Sequence, residues 1–345
     1  MKIDYHLHLE EGPYSPNWLK RTFEAVNHLD NNAHPSHSRE WMLEQTIKLH
    51  KRLKSGPYSM DWLDLYLQQA KDLGIQEVGI VDHLYRFKEY KAYYEKHIHL
   101  KNDELGNLQR KWLDQVCVES IDEFIALIEN TKQKWEENGV KLRLGIEADY
   151  FLDGEQELQE ILENQPYDYV IGSVHFLNGW GFDNPETQDL FLNYDLSSLY
   201  DEFFHVVEKA ISSKLFDFVA HLDNLKVFGY RPDEEILIPA YRRIAERLVE
   251  THTATEINAG LYYRYPIKEM CPSPTFLKVL AEYEVQLTVS SDAHYPDDLG
   301  KFAQMQLEIL QSVGINEVIT FAKREKMKHP IETTKMFKKN TVINS

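Results

Sequence analysis

Seven short apolar segments recur along this chain, and almost every one stops at a histidine, an aspartate or a glutamate. Lys2–Tyr5 runs into His6-Leu7-His8, and Glu77–Val81 into Asp82-His83. Val140, Leu142, Leu144 and Ile146 alternate as one face of a strand should, and that segment ends at Glu147. Tyr167–Gly172 leads to His175, Phe216–Ala220 to His221, and Gln286–Ser290 to Asp292-Ala293-His294, with Thr255–Asn258 as the remaining strand candidate. Between them lie stretches with helical periodicity near 61–73, 155–164, 197–213, 233–251 and 274–283. Another follows Ser120, where Ser120 and Glu123 have the spacing of a capping box and Gly139 offers a stop.

Strands that alternate with helices pair in parallel through right-handed crossovers. Seven such units in 345 residues fit a closed or slightly irregular α/β barrel, with an open doubly wound sheet as the alternative. No Pro/Gly/Ser-rich linker and no internal repeat divides the sequence, so residues 1–345 read as one domain. Residues 27–60 and 85–118 are polar and exceed what a minimal barrel needs. Both follow strand candidates, which predicts two insertions on the face that carries the active site, as lids or substrate walls.

In a barrel of parallel strands the C-terminal ends converge on one rim. Of the 15 histidines, His6, His8, His83, His175, His221 and His294 fall at such ends. His6 and His8, two residues apart on a strand, project to the same side and can share a cation. Imidazole and carboxylate together suit Zn, Mn or Fe(II), and a carboxylate such as Glu147 can bridge two ions. A lone His-x-His is weak evidence; the joint placement at successive strand ends carries the metal reading. The other nine histidines are read as ordinary. His28, His34, His37 and His50 are solvated, His97 and His99 sit in the second insertion, His205 and His252 in helices, and His329 near the C-terminus. Asp82 and Asp223 are read as carboxylates that orient an adjacent imidazole or stabilise a cation from behind its ligands.

Acidic residues outnumber basic ones 56 to 38, a formal net charge of -18, and no Lys/Arg-rich stripe stands out. That excludes long nucleic acid as a partner, whereas a small anion remains possible where bound cations reverse the local field. Two distant cysteines, Cys117 and Cys271, give no disulfide framework. The N-terminus has no leader pattern and no apolar run is long enough for a membrane, so a cytoplasmic enzyme is expected.

On these residues the chain resembles the PHP (polymerase and histidinol phosphatase) family, over residues 6–325 apart from the two insertions. The resemblance is nearest to the histidinol-phosphatase branch. The stretches that carry it are Ile171-Gly172-Ser173-Val174-His175-Phe176, Gly179-Trp180-Gly181-Phe182-Asp183, His221-Leu222-Asp223, Glu256-Ile257-Asn258-Ala259-Gly260-Leu261 and Ser290-Ser291-Asp292-Ala293-His294. It implies a distorted (β/α)7 barrel with its active site at the C-terminal strand ends and two or three divalent ions, Zn, Mn or Fe. Carried over residue by residue, His6, His8, Glu147 and Asp292 surround one ion, Glu147 bridges to a second held by His175 and His221, and His83 and His294 hold a third. The family's further histidine after the first pair is missing here, where Leu9-Glu10-Glu11-Gly12-Pro13-Tyr14 follows His8. Glu10 or Glu11 is the candidate substitute.

The implied activity is hydrolysis of a small phosphate monoester, L-histidinol phosphate to L-histidinol, in histidine biosynthesis. Glu147 is then catalytic as the bridge, and Asp292 or His294 delivers the proton to the leaving alkoxide. Arg264 is the first choice for a bidentate phosphate clamp, with Arg231 and Arg86 behind it. Trp180 and Tyr262 are read as ordinary packing. The rival readings are a PHP-type phosphoesterase acting on nucleotides or short nucleic-acid ends, a metal-binding protein without turnover, and a metal-dependent amidohydrolase. The last requires a bridging lysine, and none stands at a strand end.

Overall fold

The computed structural model describes residues 1–10, 12–29 and 34–332. Eleven strands are found among them: β1 (Ile3–Asp4), β2 (Glu77–Ile80), β3 (Lys141–Asp149), β4 (Tyr169–Ser173), β5 (Phe176–Leu177), β6 (Trp180–Gly181), β7 (Phe218–Val219), β8 (Ala254–Asn258), β9 (Leu287–Ser290), β10 (Glu317–Ala322) and β11 (Glu325–Pro330). Seven of them form one sheet in the order β1-β2-β3-β4-β7-β8-β9, every pair parallel. β5 and β6 form a small hairpin, as do β10 and β11. These seven parallel strands are the seven expected from sequence, with ends displaced by one or two residues.

The first and last strands of the sheet meet. Tyr5 N donates to Val289 O at 3.0 Å, Asp292 N to His6 O at 2.8 Å and His8 N to Ala293 O at 2.7 Å. Asp4 fastens the same seam by accepting from the backbone of Ser291 (2.9 Å) and Gly300 (2.8 Å). The sheet is therefore a nearly closed barrel, and the open doubly wound alternative is set aside. At the N-terminal strand ends an aromatic plug of Tyr5, Tyr169, Phe218 and Phe321 fills the interior, with ring centroids 5.2 to 5.9 Å apart. Tyr169 lies across β2 and β3 because Gly79 and Gly145 leave room for it. A Cβ there would sit 2.3 Å and 2.5 Å from its ring atoms or hydroxyl.

The crossovers hold the helices. Between β1 and β2 lie α1 (Pro16–His28), α2 (Arg39–Ser55) and α3 (Met60–Leu73); between β2 and β3 lie α4 (Lys91–His97), α5 (Glu104–Val116) and α6 (Ile121–Glu137). α7 (Glu155–Leu162), α8 (Leu196–Ser213) and α9 (Glu234–Thr251) precede β4, β7 and β8, while α10 (Gly260–Arg264) and α11 (Pro274–Glu282) precede β9 and α12 (Ala303–Ser312) follows it. The capping box at α6 does not form. Ser120 is the N-cap but its side chain caps nothing, and Glu89 instead accepts from Ile121 N at 3.3 Å and from Ser120 Oγ at 3.2 Å.

The two insertions differ in use. The second, with α4 and α5, stands over the rim and lines a cavity there. None of the described residues of the first lines that cavity; α2 packs against α1 and sends Arg52 to Glu10 at 2.8 Å.

Candidate metal centre

The C-terminal strand ends bring seven donor residues together around an eighth, the carboxylate of Glu147. Glu147, buried near the end of β3, splits its two oxygens between two groups of imidazoles. Oε2 lies 2.9 Å from His83 Nδ1, 3.1 Å from His6 Nε2 and 3.4 Å from His8 Nε2. Oε1 lies 3.2 Å from His221 Nε2 and 3.6 Å from His175 Nε2. Asp292 Oδ1 stands 3.7 Å from His8 Nε2, and the His294 ring stacks on His8 with centroids 4.4 Å apart. Burial alone would push the Glu147 carboxyl up, but His83, His6 and the hydrogen bond from His221 hold it well below the usual carboxylate range.

The donors cluster differently from the sets implied by family resemblance. Three groups have ligand atoms all within 4.8 Å of one another: His6, His8 and Asp292; His83, Glu147 and His175; and His8, His83 and His294. His83 thus joins Glu147 and His175, and His8 serves two groups. His221 reaches Glu147 but belongs to none of the three.

A ring of further carboxylates sets the imidazoles from behind. Asp149 Oδ1 is 2.8 Å from His175 Nδ1. Burial opposes a charge on His175, and Asp149 overrides it, lifting the imidazole to about 10. Glu256 lies under two ligands at once, 3.0 Å from His6 Nδ1 and accepting from the His221 backbone N–H at 3.0 Å. Asn258 Nδ2 donates to it at 2.8 Å, and Ser290 Oγ donates to its other oxygen. Neither Asp149 nor Glu256 was singled out from sequence. Asp149 carried a usable signal, since it stands two residues after Glu147 on the same strand and so shares its face. Glu256 lies inside β8, two residues before Asn258, and its role depends on neighbours in β1, β7 and β9.

Two of the donors sit on strained backbone. His221 has φ 27° and Asp292 φ 55°, a left-handed region that side-chain-bearing residues seldom adopt. Beside Asp292, a Cβ on Gly260 would lie 2.4 Å from its Oδ2, so this position tolerates only glycine without displacement.

Several sequence assignments are corrected here. Asp82 turns away from His83, its neighbour in the chain, and faces His8 Nδ1 at 3.7 Å while accepting from Leu9 N and Tyr58 Oη. Adjacent residues of an extended segment point to opposite sides. Asp223 orients no imidazole: it pairs with the buried Lys226 at 2.8 Å and accepts from Ser273 N. Glu10 is directed away from the donor cluster, held by Arg52 at 2.8 Å and Trp18 Nε1 at 2.5 Å. Glu11 lies outside the described residues. Arg231 is spent on Glu269 at 2.8 Å, and Arg86 is fully buried beside Glu119, away from the cavity. His28, His34, His37 and His50 are exposed. Trp180 packs against Phe191 and Tyr194, and Tyr262 against Phe302.

Arg264 does reach the rim. Its Nη1 lies 2.8 Å from His294 Nδ1 and 3.3 Å from Asp292 Oδ1, on the wall of a cavity of about 300 Å³ over Glu147. The cavity lining also includes Asp183, whose carboxyl is raised by burial.

This donor set fits divalent cations. Both ring nitrogens of His8 and Nδ1 of His83 are buried without an aligned hydrogen-bond partner. Buried polar atoms are almost always satisfied, and orphans at a cluster of lone pairs mark a cation site. Imidazole nitrogens with carboxylate oxygens, backed by further carboxylates, are the ligand chemistry of Zn, Mn and Fe.

Comparison with known proteins agrees in kind. A model of the PHP domain matches residues 50–260. A probable histidinol-phosphatase of Deinococcus radiodurans is 33% identical over 262 residues, covering 75% of this chain and 90% of the relative. One from Schizosaccharomyces pombe is 24% identical over 270 residues, 74% of this chain and 83% of that protein. The fold also matches the crystal structure of histidinol phosphate phosphatase from Lactococcus lactis, complexed with zinc, L-histidinol and phosphate. The TM-score is 0.63 at 15% identity, with 94% of this chain and 98% of the other covered. A second match, from Listeria monocytogenes, has a TM-score of 0.61 at 15% identity, covering 88% and 99%.

Proposed function

This chain belongs to the PHP family, and on that premise we propose that it is a metal-dependent phosphatase that hydrolyses L-histidinol phosphate to L-histidinol and phosphate, a step of histidine biosynthesis. The observation that carries this reading is the cluster of imidazoles around Glu147, open to a cavity that also presents a guanidinium. Two or three divalent ions (Zn, Mn or Fe) would be held by His6, His8, His83, Glu147, His175, His221, Asp292 and His294. Once bound, they supply Lewis acidity for activating water and neutralising phosphoryl oxygens.

The chain's own groups do the rest. Asp149 and Glu256 hold the rings of His175 and His6 in place. Arg264 stands at the cavity wall, where it would clamp phosphate oxygens. Asp292 or His294, both touched by Arg264, would take a proton from water and relay it to the leaving alkoxide. We read residues 1–345 as one domain whose working site is the rim. Two free, buried cysteines support a cytoplasmic setting. Among the described residues no helix is long and apolar enough to cross a membrane.

The test uses protein purified without chelator. It should carry divalent metal by elemental analysis, hydrolyse histidinol phosphate faster than nucleotide monophosphates, and lose activity with chelator. Glu147→Gln should stay folded and lose at least about a hundredfold in kcat/KM, on the order expected for losing a metal bridge. Full activity in that variant would remove Glu147 from the site, and with it the proposed role of the cluster.

A further inference from the structure

The cavity has one wall that the metal centre does not explain. It is built by the second insertion, where Tyr85, Leu108 and Trp112 face the rim donors. Tyr85 lies flat against His83, with centroids 4.6 Å apart and ring planes 13° from parallel. Trp112 meets Tyr85 edge-on at 4.8 Å and lies 6.0 Å from Phe176. The result is an aromatic shelf beginning at a proposed metal ligand and running up one side of the cavity.

Helix α5, which carries Trp112, is fixed rather than loosely laid over the rim. Asp103 caps its N-terminus by accepting from Gly106 N at 2.8 Å. One turn before Trp112, Gln109 donates to His99 O at 2.8 Å and to Gly179 O at 2.9 Å, and accepts from Gly181 N at 2.7 Å. These bonds staple α5 to the β5–β6 hairpin, and Trp112, three residues on, shares the stapled face. A rigid aromatic surface orders a ligand at little entropic cost to the protein.

The shelf also presents unspent donors. The Trp112 indole N–H and the Tyr85 hydroxyl make no hydrogen bond to any described residue, although both side chains are half-buried against the cavity. Both donors open to the cavity and are available to a ligand that enters it. A flat ring that carries an acceptor nitrogen satisfies both features, whereas an aliphatic chain satisfies neither.

We propose that the shelf of Tyr85 and Trp112 binds the heteroaromatic end of the substrate and makes the second insertion the specificity element of this enzyme. The inference rests on the phosphatase reading above and names which part of the chain selects the alcohol. The phosphate end lies at the metals and Arg264. The ring of histidinol then stacks on Trp112, and its pyridine-type nitrogen accepts from the Tyr85 hydroxyl.

The test compares two esters, L-histidinol phosphate and ethanolamine phosphate, which share a phosphate monoester and an ammonium group but differ in the ring. Trp112→Leu in the metal-loaded enzyme should raise KM for histidinol phosphate about tenfold, the scale of a lost aromatic contact. Its kcat/KM on ethanolamine phosphate should move less than about twofold. Trp112→Phe, which keeps a ring, should fall between the two and keeps the test open if the leucine variant misfolds. Calorimetry should show the same loss in binding of the product L-histidinol. If the wild type is active on histidinol phosphate but Trp112→Leu slows both esters alike, the shelf is overturned and the phosphatase reading stands. A wild type that leaves histidinol phosphate untouched overturns the substrate reading itself, and the shelf assignment with it.

Discussion

Gly260 is the residue whose smallness the centre most depends on. It opens α10 directly after β8, and its Cα faces the Asp292 carboxylate so closely that a methyl group would lie 2.4 Å from Oδ2 and 3.0 Å from Asn258 Oδ1. Asp292 is already held on left-handed backbone by its bond to His6 O, so it has little freedom to retreat. Gly260→Ala should therefore shift Asp292 out of its place beside His6 and His8. The expected outcome is a loss of about tenfold or more in kcat/KM with reduced metal content. The melting temperature should change less than for a buried large-to-small change. Kinetics and elemental analysis on the same preparation check this, and unchanged values for both would mean that Asp292 contributes nothing to the ion. At the same scale, the residues legible from sequence were those at strand ends. His6, His8, His83, His175, His221 and His294 could be named because their positions follow from strand geometry alone. Glu256 and the true partner of Asp82 could not, because each is defined by side chains brought in from other strands.

Helix α2 shows how an element can serve a site it never touches. Its Arg52 is buried between Trp18 and Trp62, with the guanidinium 4.4 Å from the Trp62 ring, and pairs with Glu10, two residues after His8. Trp62 Nε1 and Tyr66 Oη of α3 bond to Leu9 O and His8 O, so α2 and α3 together clamp the segment that carries the first ligand pair. Arg52→Met should leave the buried Glu10 carboxylate without its cation and destabilise the protein by about 3–5 kcal/mol, as breaking a buried pair does. Adding Glu10→Gln should recover part of that loss. Denaturant unfolding of the single and double variants checks the pair, and equal stability of Arg52→Met and wild type would show it to be idle. The sequence placed an insertion here but gave it the wrong task. Polar composition over residues 27–60 pointed to solvent and the active-site mouth, whereas the decisive contact is one arginine that its neighbours bury. Strands and helices of the barrel were readable because their periodicity is local. The β10–β11 hairpin was not anticipated, since Phe321 finds its reason only in the plug with Tyr5, Tyr169 and Phe218.

At the scale of the molecule, the centre sets buried nitrogens and carboxylates against one another with orphaned atoms among them. A bound cation turns those contacts favourable, and it binds the folded state alone, because only the fold brings the donors together. Removing metal with a chelator should therefore lower the melting temperature reversibly. At a free metal concentration one hundred times Kd the stabilisation lost is about 2.7 kcal/mol per site. Calorimetric scans before and after chelation, and after metal is returned, measure it. An unchanged transition would show that the donors do not form a coordination site.

The seam between the first and last barrel strands has a further consequence for how the enzyme comes into being. His6 and His8 are made well before their partners Asp292 and His294, which follow them by more than 280 residues. A ribosome-bound chain that has not yet released its last rim strand has His83, Glu147 and His175 but cannot complete the full donor set. The groups that span the seam, His6 with His8 and Asp292 and His8 with His83 and His294, thus wait for both edges of the barrel. A half-made copy can therefore hold at most part of the centre.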